Sequence, residues 1–179
     1  MKRTEKSAIV LTALAIAASL CMMVASSTAQ TATPTLKPAI ASLGYFVGDW
    51  ECSGKFDTSG KVIEAHQHFV ADLDGAAIGF RHDDKSPFDY HSAAEWGWDE
   101  SDKEFVMTAH DSGGGIRLFR SNGWNSNHLQ WDGDAIGSMS PPSQRFSFER
   151  LDDRHFKVSY FTMKNGNWSR VDSSTCSKQ

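Results

Sequence analysis

The residues best suited to chemistry are histidines. His66 and His68 are two apart, so on a strand both side chains leave the same face. His82, His91 and His110 follow on the next three alternating runs. Neighbouring strands lie about 4.8 Å apart, close enough for such histidines to converge. A His-x-His pair with a third histidine or Glu95 would make a tetrahedral zinc shell with one open position, and so a metal-dependent enzyme. The plainer reading is histidines that meet only water or an ordinary hydrogen-bond partner. Tryptophan is the second feature. All six (Trp50, Trp96, Trp98, Trp124, Trp131 and Trp168) fall after residue 49. With Phe46, Phe56 and Phe69 they can either fill a narrow barrel or line a small-molecule pocket. The candidate ligand-binding set is therefore Trp50 and Trp96 for the apolar wall, with His66, His68 and His91 for polar orientation. No catalytic residue, metal or cofactor is assigned. There is no Gly-x-Ser-x-Gly elbow, and Gly113-Gly114-Gly115 lacks the Lys-Ser/Thr of a phosphate loop. The acidic pairs Asp83-Asp84, Asp99-Glu100 and Asp152-Asp153 fall at turns, where solvation explains them.

These residues need a scaffold, and the chain of 179 residues supplies a consistent one. It is 40% hydrophobic, 11% aromatic and 22% charged, a globular composition. Its net charge of −4 excludes a basic nucleic-acid footprint as the default. Short alternating runs recur at Trp50–Phe56, Lys61–Ala71, Ala76–His82, His91–Trp98 and Glu104–His110. They continue at Gly115–Arg120, Leu129–Ile136, Gln144–Leu151, His155–Met163 and Asn167–Ser174. Turn residues separate them, and Asn165-Gly166 is the clearest hairpin signal. The expected fold is all-β, an antiparallel up-and-down β-barrel of about ten strands. Pro38–Leu43 is expected to make one short N-terminal helical turn.

The first residues set the compartment. Lys2, Arg3 and Lys6 precede an apolar run, Ala8–Ala25, and Ser27-Thr28-Ala29 has the small-x-small pattern of a signal-peptidase site. Residues 1–29 are thus expected to be a signal peptide, residues 30–41 a Thr/Pro-rich spacer, and residues 42–179 the barrel domain. A periplasmic or secreted location follows, with no membrane span after cleavage. Removing the leader leaves two cysteines, Cys52 and Cys176, which an oxidising compartment would join. Cys52 is in the first run and Cys176 just past the last, so a bridge would seal a barrel where its edges meet. In that register Trp50 faces Lys178.

The segment Leu43–Gly54 (LGYFVGDWECSG) resembles the opening of the bacterial exported family called "domain of unknown function 1579". So do Tyr90–Asp99, Gly123-Trp124, Gly166-x-Trp168 and Asp172–Cys176. The resemblance covers residues 42–178 and implies a calycin-like barrel, related in shape to lipocalins and fatty-acid-binding proteins. It supplies no catalytic residues. Gly48-x-Trp50 is also similar to the lipocalin start, where an arginine of the last strand covers the tryptophan; Arg170 is the nearest counterpart, but the register does not bring it to Trp50. A haem barrel of the nitrobindin type needs an axial histidine near the C-terminus, and the last one here is His155. The function expected is binding of a small apolar molecule by an exported barrel. The alternatives are the His-x-His metal enzyme and a cell-envelope interaction module working through the outer face.

Overall fold

A computed structural model describes residues 34–135 and 143–179. The expected signal peptide lies outside the described residues, as do the first residues of the spacer and Ile136 at the end of one run. The described chain forms strands β1 (Gly48–Phe56), β2 (Val62–Asp72), β3 (Ala77–Asp84), β4 (His91–Asp99), β5 (Glu104–Asp111) and β6 (Ile116–Ser121). It continues with β7 (Trp124–Asn125), β8 (His128–Ala135), β9 (Gln144–Arg150), β10 (His155–Lys164) and β11 (Asn167–Lys178). All pairings are antiparallel. The sheet runs in chain order from β1 to β6, and β6 pairs with β8 while β11 pairs with β1. That closes a ten-stranded up-and-down barrel, with the two-residue β7 appended to β8.

Period-two patterning decides which side chains go inside. In β2, Ile63, Ala65, Gln67, Phe69 and Ala71 are buried, while Glu64, His68 and Val70 are exposed between them. Asn165 and Gly166 both have positive φ, as a two-residue hairpin between β10 and β11 requires. β11 runs four residues beyond the expected Ser174. Its polar sequence carries no apolar stripe, yet seven register pairs with β1, from Trp50↔Lys178 to Phe56↔Asp172, hold it as a strand. Cys52 faces Cys176 in that ladder and is disulfide-bonded to it.

Glycine is required where the ring is completed. A Cβ on Gly54 would lie 2.1 Å from the Ser173 carbonyl at the β1–β11 seam. One on Gly133 would lie 2.2 Å from the Leu118 carbonyl at the β6–β8 seam. Both closing pairs therefore bring backbones closer than any other residue permits.

A plug seals one end. Residues 38–40 form a turn, and a 3-10 helix follows at Ala41–Phe46, three residues later than the expected helical turn. The shift has a packing reason. Leu43 and Phe46 are three apart, so a three-residue helical repeat buries both, together with Ile40. The Phe46 ring meets Phe69, Trp96, Phe148 and Phe156 at 5.2–5.4 Å and stacks on Trp124 at 5.5 Å. Within the stretch read as a spacer, Leu36 packs on the core and the Lys37 amide donates to the Gly75 carbonyl at 2.8 Å.

Candidate functional site

Above the plug the barrel is hollow. A cavity of about 370 Å³ opens toward the end opposite the 3-10 helix. Trp96, Phe146, Phe148, Met107 and Val158 give it an apolar wall, and Ala94, Ala109 and Ser92 leave room by being small. The volume falls in the range of about 300–1,000 Å³ that small-molecule sites occupy. Both readings of the aromatic residues are thus realised, at different depths. Trp50 and Trp131 fill the closed end with Phe46, and Trp96 roofs that filling and lines the cavity.

The cavity carries polar groups at two levels. Deep in the wall, Gln67, Gln144 and Trp96 are almost fully buried. Gln67 Oε1, Trp96 Nε1 and both amide atoms of Gln144 have no hydrogen-bond partner among the described residues. Unsatisfied buried polar atoms cost about 1–3 kcal/mol each, so four of them around one cavity are a feature to be explained. Gln67 Nε2 lies 3.1 Å from His82 Nδ1, and His82 Nε2 lies 2.8 Å from Asp84 Oδ1. The tautomer with its proton on Nε2 makes both bonds, accepting from the amide and donating to the carboxylate.

Nearer the opening stand Tyr90, Arg117, Tyr160 and Asp172. Arg117 is ion-paired with Asp111, whose carboxylate also accepts from the amides of Gly113 and Gly115. Burial raises the Tyr90 phenol and pushes that of Tyr160 up to about 12, so both are neutral donors at neutral pH. Burial also pushes the Asp172 carboxyl up to about 6, against an ordinary value of 3.8, and this outweighs the opposing pull of His82.

The sign of the pH effect follows. Folded Asp172 binds its proton more tightly than the unfolded chain does, so its ionisation destabilises the fold as pH rises from about 4 through about 6. Asp172→Asn is expected to match wild type in urea midpoint at pH 4. It should be the more stable protein at pH 8, by about 1–2 kcal/mol. A difference that does not change across that range would mean that burial does not govern Asp172.

Only part of the expected site lies here. Trp96 lines the cavity. Trp50 sits below it, with its Nε1 donating to the Phe46 carbonyl at 2.6 Å and its ring 4.6 Å from Phe156. Lys178 covers the Trp50 ring at 5.2 Å, while Arg170 reaches away to Asp57 at 2.8 Å. His66 and His68 leave β2 on the outer face, opposite to Gln67. There His66 lies 3.1 Å from Asp49 and 3.2 Å from Glu51, and His68 lies 2.8 Å from Asp49. His91, also outside the cavity lining, bridges Asp83 at 2.7 Å and Asp89 at 3.0 Å; those carboxylates, Asp83 foremost, raise its pKa. Among the described residues no group of three or more His, Cys, Asp or Glu side chains is arranged to hold a metal ion, so the outward His-x-His pair finds no third ligand. Gln67, Gln144 and Asp172 were not singled out from sequence, where His82 is only a candidate third metal ligand. For Gln67 and Gln144 the signal was parity, since each shares its strand's inward face with phenylalanine.

No family model matches the chain, and no curated protein matches it. Among solved structures, the chain is similar to a de novo designed fluorescence-activating β-barrel, with a TM-score of 0.41 and 13% identity, over 76% of this chain and 95% of that one. It is also similar to mFAP1, a redesigned β-barrel bound to DFHBI, with a TM-score of 0.36 and 10% identity, over 76% of this chain and 98% of that one. Likeness of this degree sets no functional expectation.

Proposed function

We propose that the protein is an exported binding protein that holds one small, largely apolar molecule inside its barrel. The observation that carries this reading is the cavity itself: a shaped, mostly apolar space ringed by buried amide and indole groups that have no partner among the described residues. A side chain of the right size could have filled that space, as Phe46 fills the closed end. The leader pattern in residues 1–29 supports export to the periplasm or beyond, and the folded domain that follows begins before residue 42, since Leu36 packs on the core and Ile40 is buried in it. The motifs Gly48-x-Trp50, Cys52 and Gly54 support membership of the exported family named above, and with it a calycin-like ancestry.

Affinity should be moderate. A ligand burying about 250 Å² of apolar surface gains roughly 6 kcal/mol, before the cost of association is subtracted and polar contacts are added. N-phenyl-1-naphthylamine, a neutral dye that brightens in apolar surroundings, is expected to bind at one equivalent with a Kd of tens of micromolar or weaker. Ala109→Phe puts a ring into the cavity and should abolish the signal while leaving thermal stability intact. No binding by the wild-type protein, or equal binding by the filled variant, would remove the reading.

A further inference from the structure

We infer that the cavity selects a cationic aromatic molecule, a planar ring bearing a protonated amine, with its ammonium at Asp172 and its ring against the aromatic wall. This rests on the reading of the barrel as a binding protein and says which class of ligand it takes.

The charges that line the cavity decide the sign. Among the described residues, Arg117 is the one Lys or Arg side chain in the lining, and Asp111 already neutralises it. A ligand carboxylate or phosphate would therefore meet no free cation among the described residues. It would instead face Asp84 and Asp172, so a fatty acid is the wrong guest. Asp84 is occupied by His82. Asp172 differs from both: it accepts no hydrogen bond from the described residues. The guanidinium nearest it in sequence, Arg170, is engaged by Asp57. Asp172 is thus a carboxylate that lines a partly enclosed space with its bonding capacity unused by the described residues.

The surroundings suit an aromatic ammonium. Asp172 lies opposite Phe56 across one ladder and opposite Tyr160 across the other. Tyr160 packs on Phe146 at 5.0 Å, and Phe56 meets Phe88 at 5.6 Å. Ring faces beside a carboxylate attract a cation from several sides. Elsewhere in the lining, Gln67 Oε1 and Gln144 Oε1 are buried acceptors without donors among the described residues, able to take an N–H of the guest.

Three probes of one shape test this by calorimetry at pH 8: 2-(2-naphthyl)ethylamine, 2-(2-naphthyl)ethanol and 3-(2-naphthyl)propanoate. The amine is expected to bind at least about tenfold more tightly than the alcohol, the scale of one charge-assisted hydrogen bond. The propanoate is expected to bind most weakly. Asp172→Asn should close the gap between amine and alcohol and change alcohol binding by less than about twofold. Lowering the pH to 5 should narrow the gap in the wild type. His82 and Asp84 on β3, Asp57 in the turn after β1, and Arg170 on β11 also face Asp172, and the variant separates its share from theirs. An amine no tighter than the alcohol, a propanoate that binds best, or a gap that survives Asp172→Asn would overturn the inference and leave the barrel reading standing. Failure of all three probes and of the neutral dye would overturn both.

Discussion

Breaking the Cys52–Cys176 bridge is expected to lower the unfolding free energy by about 3–4 kcal/mol without unfolding the protein at room temperature. The cysteines are 124 residues apart, so the bridge closes nearly the whole described chain into one loop and removes much of the freedom of the unfolded state. The native seam does not depend on sulfur alone, because the register pairs between β1 and β11 remain. With a slope of about 2 kcal/mol per M, the urea midpoint should fall by about 1.5–2 M on reduction, and as far in Cys52→Ala/Cys176→Ala. Both cysteines are buried, so reduction of the folded protein should require opening of the seam. A midpoint shift below about 0.3 M would show that hydrogen bonds and packing hold the barrel shut by themselves.

The bridge was legible because two sequence features met: a leader-like pattern in residues 1–29, from which an oxidising compartment is expected, and cysteines at the two ends of a strand series. The strands were legible because alternation marks a sheet with one wet face. β7 was not, since two residues carry no period. The site was readable only as far as parity reached. His66 and His68 share a face, but the apolar residues on the other parity of β2 send that face outward and leave Gln67 within. On β6, Leu118 and Phe119 are adjacent and both apolar, so nothing in the local sequence says that Arg117 points inward. Asp172 lies on a strand with no apolar stripe; its inward direction follows only from its even spacing to Cys176, through the bridge. Phe88 and Tyr90 reach the cavity from the connection between β3 and β4, where there is no period at all.

Phe46→Ala is expected to cost about 3–5 kcal/mol, and its effect should be felt in the cavity it does not line. Phe46 is fully buried and contacts rings from both ends of the chain: Phe69 and Trp96 on early strands, Phe148 and Phe156 on late ones. Its loss leaves a ring-sized void at a point where the 3-10 helix, β2, β4, β9 and β10 meet, and no single neighbour can relax into it. Trp96 is the link to function, because one ring packs 5.2 Å from Phe46 and also lines the binding space. With its backing removed, Trp96 can sink away from a bound molecule, and affinity for the neutral dye should fall several-fold. Phe88→Ala provides the contrast. Phe88 is only half-buried at the opening and touches Phe56, so its removal should cost under about 1.5 kcal/mol while still weakening the dye. Urea titration and dye binding on the two variants separate the roles. If Phe46→Ala costs less than about 1 kcal/mol, the 3-10 helix merely rests on the barrel end, and the floor beneath Trp96 must be supported by the strands alone.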